Sequence, residues 1–600
     1  MANPAAAPLT EDQLRQYWQD IAPAIADLDL SIDLWALLRQ AWGQAPNRDS
    51  LPLTLGQTYE RLAEKAAIHK RQGCYYTPTA IAQAMVEATV GRASRASNHQ
   101  PPTILDPACG GGVFLVLAYR YLHQESAPLR AANGTPLLAS LFGVDIDPNA
   151  VAVTRLALGL AVRLSPDSAG DNLTCLRHTI CCGNTLVTGA VPARSLPPAD
   201  PPFPWSNRQF SVVLGNPPYL DADAMSRHFP QWRTYCRDRF QTAKGNWDLF
   251  CVFIERALQL CEAGGWHSFV VPNKLASAEY AAPARSLLAA RTIHQIWDYS
   301  RVSAFRAAVY PLAYVVRMQP VVAGHVACTA MATVEQAGAT RYRCRRHFSS
   351  PQPWCLSASP QPWLSGPRGS MGDVLEVVGA ASVADAYQLK PLIYNQPQGN
   401  NDFERANFKL VNSGTIDRYQ HHWGQKTLRY LGDRYQHPVV SRAAIAAALP
   451  KRYRQAASPK LIIAGLTRHL ECIWDAEGAL LPGKSTTVIL LSPTEAALGP
   501  VLLGLLNSAL MTAYFQALFG GNALQGGYLR VGPPQVRSLP LPSGYPWPQG
   551  SPAVERLNRL IHQRQALTHA SGARGCDALE LRIEQLVRRL YDADGAMRKP

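Results

Sequence analysis

The chain predicts an α/β fold: a doubly wound, mostly parallel sheet with helices on its faces, followed by a C-terminal α+β domain. Three observations carry this expectation. Between residues 103 and 300, short apolar runs of strand length alternate with segments whose apolar residues recur at i, i+3 and i+4, the pattern of crossover helices over a parallel sheet. Residues 349–372, SSPQPWCLSASPQPWLSGPRGSMG, are rich in Pro, Ser and Gly with no apolar period and read as a linker. Six hundred residues also exceed what one hydrophobic core serves, so two or three packed domains are expected.

In chain order, residues 1–72 form an N-terminal helical region. Thr10 and Gln13 make a capping box ahead of Leu14, Trp18, Ile21 and Ile25, a second helical run goes from Leu30 to Trp42, and a third from Thr58 to Lys70. The α/β domain spans 73–348. Its strands are read at 103–106 (TILD), 141–147 (LFGVDID), 210–216 (FSVVLGN), 266–272 (WHSFVVP) and 293–300 (IHQIWDYS), with helical patterns at 113–123, 148–163 and 246–263. After the linker, a second domain is expected over 373–545. A C-terminal helical segment at 546–600 follows, marked by Leu557, Leu560 and Ile561, then Leu579, Ile583, Leu586 and Leu590. Residues 501–521 approach the length of a membrane span, but Asn507, Ser508, Thr512 and Gln516 interrupt the run, which predicts a buried core helix and no membrane partner.

Composition narrows the function. Hydrophobic residues at 47% and charged residues at 17% exclude a disordered chain. The net charge of +15 is uneven: residues 321–600 hold 30 basic and 18 acidic side chains, against 28 and 25 in residues 1–320, so the C-terminal part is the expected face for a polyanion. Thirteen cysteines without paired C-x-x-C spacing point to reduced thiols, with no zinc site or other metal and no disulfide framework. The start lacks the basic and apolar regions of a secretion signal, so a cytoplasmic location is expected.

Two constellations carry chemistry. Asp106-Pro107-Ala108-Cys109-Gly110-Gly111-Gly112 sits between the first strand and a helix, where glycines let backbone approach a ligand at a helix N-terminus. The next strand ends in Gly143-Val144-Asp145-Ile146-Asp147, which places the Asp145 carboxylate where it can accept hydrogen bonds from both hydroxyls of a ribose. Phe114-Leu115 stands near the place of the third glycine that a dinucleotide site uses, which favours an adenosyl ligand without a pyrophosphate. The second constellation, Asn216-Pro217-Pro218-Tyr219, follows the strand FSVVLG. Its prolines stiffen a turn in which the Asn216 side-chain oxygen and the Pro217 carbonyl can accept from one NH2 group, localising the lone pair of an otherwise conjugated amine, while Tyr219 supplies an aromatic face. Cys109 reads as a small packed residue.

Together these residues resemble the S-adenosylmethionine-dependent adenine-N6 DNA methyltransferases of the TaqI type, in the gamma arrangement. Gly73-Cys-Tyr-Tyr-Thr-Pro78 resembles the family's first motif, so that Tyr76, Thr77 and Pro78 would close over the methionine half of the cofactor. The resemblance assigns Asp106, Ala108, Gly110, Gly112, Asp145 and Ile146 to the cofactor, with Asn184 at the adenine amino group, where many members have Asp. Asn246-Trp247-Asp248-Leu249-Phe250 and Gly264 through Lys274 resemble later catalytic-domain motifs. Arg301-Val302-Ser303-Ala304-Phe305 resembles the motif whose aromatic residue stacks on the extruded base; Phe305 also has a reading as a core aromatic. Looser similarity at Leu389-Lys390, Gly414–Arg418, Leu505–Ser508 and Gln535–Pro540 extends the resemblance over about residues 70–545.

The resemblance implies a Rossmann-like methyltransferase domain, a DNA-recognition domain over 373–545, and a site-specific enzyme that flips adenine out of double-stranded DNA in a restriction-modification or phage-defence system, acting in the cytoplasm and associated with the nucleoid through DNA. Partners are expected to be double-stranded DNA and separate restriction or defence proteins. Two other readings stand beside it: a protein glutamine N-methyltransferase, whose carboxamide substrate presents a similar planar NH2, and a catalytically inactive DNA-binding subunit. Residues 1–72 are too short for a fused nuclease and carry no Asp followed by Glu-x-Lys on strand-like sequence, so no cleavage by this chain is expected. Two basic runs, Arg341, Arg343, Arg345 and Arg346, and Lys451, Arg452, Arg454 and Lys460 around Tyr453, read as solvated surface or as phosphate contacts.

Overall fold

The computed structural model describes residues 9–65, 76–96, 100–125, 137–165, 173–187, 204–205, 207–299, 302, 310–321, 325–331, 340–345, 353–354, 356, 369–396, 406–519, 528–542, 544–545, 547, 550–567 and 573–592. The chain divides into two compact units, Met1–Ala358 and Ser359–Pro600.

The first unit begins with helices α1 (Glu11–Ile21), α2 (Leu34–Gln44) and α3 (Leu51–Lys65). The expected Thr10/Gln13 capping box forms at the head of α1. Helix α3 starts seven residues earlier than the apolar period suggests and is described as far as Lys65; the rest of the expected run to Lys70 lies outside the described residues. Then come α4 (Thr79–Ala96), β1 (Ile104–Asp106), α5 (Val113–Glu125), β2 (Leu141–Asp145), α6 (Pro148–Leu164), β3 (Ile180–Cys182) and β4 (Phe210–Gly215). They are followed by α7 (Ala222–His228), α8 (Pro230–Arg239), α9 (Leu249–Leu260), β5 (Cys261–Pro272), α10 (Ala282–Ala289), β6 (Arg291–Asp298), β7 (Pro311–Pro320), β8 (His325–Ala330) and β9 (Thr340–Arg345). Strand β2 stops two residues short of its expected end because Asp147 leaves the ladder to cap α6, its carboxylate accepting from the Asn149 amide at 2.9 Å.

These strands form one sheet in the order β3-β2-β1-β4-β5-β7-β6-β8-β9. From β3 to β5 every pairing is parallel; β7 runs antiparallel to both β5 and β6. The strands the sequence reading omitted, β3 and β7 to β9, lie at one edge or beyond β5. Strand β1 has β2 on one side and β4 on the other, so the winding reverses there, and a crevice opens at the carboxyl ends of these strands. Helix α6 is buried along nearly its whole length between the sheet and the N-terminal helices. Its Arg155, 2% exposed, is held by Asp27 at 2.6 Å and by the carbonyls of Ala24 and Ile180. Leu14, Leu38 and Leu55 therefore share one core with Val151 and Leu156.

The second unit holds two four-stranded sheets. One orders Glu376–Gly379, Thr486–Leu490, Lys460–Ala464 and Cys472–Asp475; the other orders Tyr394–Asn395, Pro438–Ser441, Asn407–Val411 and Leu480–Pro482. Helices Pro552–Leu567 and Ala573–Asp592 pack together at its end. The single helix expected over 501–521 is instead a pair, Gly499–Leu506 and Ala509–Phe519, in a segment bent by 68°. The cause is Asn507: its side-chain oxygen accepts from the Cys472 amide and its NH2 donates to the Cys472 carbonyl, both at 2.9 Å, while Ser508 caps the second helix through the Met511 amide. Both helices are largely buried, and among the described residues no single helix is long and apolar enough to cross a membrane.

The second basic run is only half surface. Arg452 is buried and bonded to the carbonyls of Ala380 and Pro482, and Lys460 is fully buried, paired with Asp475 at 2.5 Å, so neither reaches a phosphate. Lys451 is exposed and Arg454 is exposed on the same helix. In the first run, 341–345 fall on β9, whose side chains lie outside the described residues, as does Arg346.

Candidate active site

The glycine loop follows β1 directly. The Cys109 amide donates back to the Val144 carbonyl at 2.9 Å, which folds the loop over the end of β2, and Gly110 and Gly112 take positive φ of 50° and 83°. A Cβ at Gly112 would stand 2.9 Å from the Thr154 hydroxyl, and Thr154 in turn donates to the Gly110 carbonyl at 2.7 Å, clamping the loop onto α6. Cys109 is buried and its thiol is pushed well above the ordinary range by burial, which makes it a packing residue.

Asp145, at the end of β2, accepts from the Gly110 amide at 2.9 Å and from the Asp147 amide at 3.0 Å. It is half-buried, and burial lifts its carboxyl to about 6 against the pull of those amides. Ile146 beside it is 46% exposed, an apolar surface at the mouth of the crevice. Asp106 accepts from the Ala108 amide at 3.1 Å through one oxygen; the other has no partner among the described residues. Burial pushes Asp106 up to about 8, with the charges of Asp145 and Glu60 adding to it. At the end of β3, Asn184 turns its side-chain oxygen to the Leu186 amide at 3.0 Å, and Thr185 donates to the Pro107 carbonyl at 2.7 Å.

The Asn-Pro-Pro-Tyr turn leaves β4 on the other side of β1. A Cβ at Gly215 would stand 2.5 Å from Asp106 Oδ1, so only glycine lets Asp106 lie against the base of the turn. Asn216 donates through its NH2 to the Thr77 hydroxyl at 2.9 Å. The Tyr219 hydroxyl lies 2.5 Å from Asn216 Oδ1 and 2.9 Å from the Val270 carbonyl on β5. Pro217 is buried and Pro218 half-buried; the Tyr219 ring is 7% exposed and packs edge-on against Phe250 at 6.4 Å. The Leu249 amide donates to the Leu220 carbonyl at 2.9 Å, tying the turn to Asn246–Phe250, where Asp248 is 5% exposed and held up at about 6 by burial, with Lys274 pulling it down.

Of the residues singled out, Tyr76, Thr77, Pro78, Asp106, Ala108, Gly110, Gly112, Asp145, Ile146, Asn184, Asn216, Pro217, Pro218 and Tyr219 all stand on segments that open the crevice at the ends of β1 to β4. Gly73, Arg301 and Phe305 lie outside the described residues. Two features escaped the sequence reading. Thr77 holds the Asn216 amide, and α3 reaches the glycine loop through Gly56 and Glu60 and the cap of α6 through Tyr59. No local signal marks either, because each pairs residues 51 or more positions apart. Two arginines of the second-unit motifs make contacts within that unit: Arg418 donates to the Asn507 carbonyl at 3.0 Å and pairs with Glu580 at 2.9 Å, and Arg537 binds the Val377 carbonyl.

Residues 139–305 match the family described as Eco57I restriction-modification methylase. Among characterised proteins, the chain is 23% identical over 244 residues to the type II restriction enzyme and methyltransferase RM.Eco57I of Escherichia coli, covering 35% of this chain and 24% of that protein. It is 33% identical over 117 residues to the adenine-specific methyltransferase PglX of Streptomyces coelicolor, covering 18% of this chain and 9% of that one. The chain thus spans a quarter or less of the length of these relatives. In fold it is similar to the type IIL restriction-modification enzyme MmeI, with a TM-score of 0.53 at 13% identity over 92% of this chain and 79% of that one.

Proposed function

We propose that this chain is an S-adenosylmethionine-dependent, site-specific adenine-N6 DNA methyltransferase of the TaqI-like gamma arrangement, working in a restriction-modification or phage-defence system. The observation that carries this reading is the packing of Asp106 against Gly215, which sets the glycine loop and the Asn-Pro-Pro-Tyr turn on adjacent strands of one crevice. The matches to restriction-modification methylases and to an adenine-specific methyltransferase support it.

The residues fit the cofactor by their chemistry. Asp145 offers acceptors for two ribose hydroxyls, Ile146 and Asn184 flank the place for the adenine, and the positive-φ glycines leave room for the backbone to approach. Tyr76, Thr77 and Pro78 cover the methionine half, and the partnerless oxygen of Asp106 suits a cationic ligand. Bound there, S-adenosylmethionine supplies an electrophilic methyl group. Asn216 and Pro217 would accept hydrogen bonds from the two N–H groups of the target amine and so localise its lone pair for a direct displacement at the sulfonium methyl, with S-adenosylhomocysteine as the leaving group and the extra proton on the methylated nitrogen passing to solvent. Tyr219 has one proton and two acceptors in reach; giving it to Val270 leaves Asn216 Oδ1 to the substrate, while Thr77 keeps the amide oriented. Phe305 stacks on the flipped adenine, and the basic second unit, over 373–545, holds the duplex. Double-stranded DNA is the substrate partner, with restriction or defence proteins acting alongside.

The test is methyl incorporation from labelled cofactor into duplex DNA by the purified chain and by Asn216→Ala, with cofactor affinity measured in parallel. The variant is expected to lose at least ~100-fold in rate, the scale of removing one well-placed polar group from a transition state, while cofactor affinity stays within threefold. Activity within tenfold of wild type overturns the assignment of Asn216.

A further inference from the structure

One turn of α3 reaches three parts of the crevice. Gly56 lies so close to the glycine loop that a Cβ there would stand 2.4 Å from the Gly111 carbonyl oxygen. Gln57 donates to the Thr79 hydroxyl at 3.2 Å, beside Tyr76, whose own hydroxyl is 3.3 Å from Thr79. Tyr59 donates to the carboxylate of Asp147, the cap of α6. Glu60 completes the turn: Oε1 accepts from the Gly111 amide at 3.2 Å, and Oε2 is shielded from solvent with no partner among the described residues. A Cβ at Gly110 would stand 3.3 Å from the same carboxylate.

A buried carboxylate oxygen without a donor is costly, and here it has company, for Asp106 Oδ2 is in the same state on a side chain only 1% exposed. Both belong to residues bonded to the glycine loop. The charges that face Glu60 are Asp145 across the loop, Glu64 on its own helix and Asp106 at the end of β1; Tyr76 faces it from the first motif. Burial, joined by Asp145 and Glu64, lifts Glu60 to about 7.

We infer that Glu60 is a cofactor-contacting residue contributed by the N-terminal helices: its second carboxylate oxygen accepts a hydrogen bond from the α-ammonium at the amino-acid end of the cofactor. An ammonium carries three donors and a sulfonium none, so the orphan acceptors select the former. The inference rests on the reading of this crevice as an S-adenosylmethionine site.

Calorimetry on the full chain separates the possibilities with three probes. S-adenosylmethionine and S-adenosylhomocysteine carry the α-ammonium; 5′-methylthioadenosine keeps the adenosine and lacks the amino acid. Glu60→Gln, which keeps shape and the Gly111 bond, is expected to weaken the first two at least tenfold and to leave 5′-methylthioadenosine within twofold. Equal loss for all three overturns the inference in favour of a helix that only props the loop, and no loss for any overturns it outright. Wild type that binds none of the three overturns the cofactor reading itself. A wild-type measurement guards against a variant that fails to fold: from pH 6 to 8, affinity for S-adenosylhomocysteine should rise relative to 5′-methylthioadenosine, and a constant ratio contradicts the proposal.

Discussion

At the scale of single residues, the site is a set of acids held above their ordinary range. Glu60 at about 7, Asp106 at about 8 and Asp145 at about 6 share one cause, burial, and the charge of Asp145 adds to the rise of the other two. Each has a folded-state pKa above its unfolded value of ~4, so the stability it contributes is full below that value and is lost as pH rises through 6 to 8. His267 acts in the other direction: it is buried between the Val213 carbonyl and the Tyr314 hydroxyl and pushed down to about 4, so its contribution is lost as pH falls below its unfolded value of ~6.5. Between pH 6.5 and 8 only the acids act. The ligand-free chain should therefore melt at a lower temperature at pH 8 than at pH 6.5, and saturating S-adenosylhomocysteine should raise that temperature more at pH 8. Thermal scans at both pH values check this, and a ligand-induced shift that shrinks toward pH 8 contradicts it. Asp145→Ala is expected to weaken cofactor binding by ~1.5–3 kcal/mol, the scale of hydrogen bonds to a charged acceptor, as read by calorimetry.

At the scale of elements, the strands that build the site were legible because each pairs an apolar run with a polar or glycine terminus: ILD before the glycine loop, LFGVD before Ile146, FSVVLG before Asn216. The peripheral strands β7 to β9 were not, since none of them leads into a glycine loop or a motif that would mark its end. Nor was the break at Asn507. The polar residues of the apolar run read as interruptions within one buried helix, yet Asn507, 1% exposed, turns to Cys472 across 35 residues of sequence and ends the first helix there. Replacing it leaves the Cys472 amide without its acceptor in the core, while the Cys472 carbonyl keeps the Tyr419 amide at 3.1 Å. Asn507→Ala is expected to cost about 1–3 kcal/mol of stability in the second unit, measured by denaturant unfolding. A cost under ~0.5 kcal/mol would mean that the bend is set by the helices alone.

At the scale of the whole molecule, charge and chemistry are divided along the chain. The crevice and its acids belong to the first unit, while residues 321–600 carry 30 basic side chains against 18 acidic ones. The net charge alone predicted a polyanion partner, but the fate of Arg452 and Lys460, both buried, shows that a basic run in sequence need not be a basic patch in space. Those still open to solvent include Lys451 and Arg454, and in the first unit Arg237 and Lys244 line a cavity of about 440 Å³ beside Trp247. Affinity for duplex DNA is expected to fall at least tenfold between ~50 and ~200 mM salt, as counterions compete for the phosphates. Binding that is flat with salt would remove the electrostatic clamp from this account. The most direct test of the central claim is modified-base sequencing of genomic DNA from a methylation-free host expressing this chain alone, beside the same host expressing Asn216→Ala. N6-methyladenine is expected at one recurring sequence with the wild-type chain and at none with the variant. Unmodified DNA from a folded, cofactor-binding wild-type chain, or methylation confined to cytosine, would contradict it.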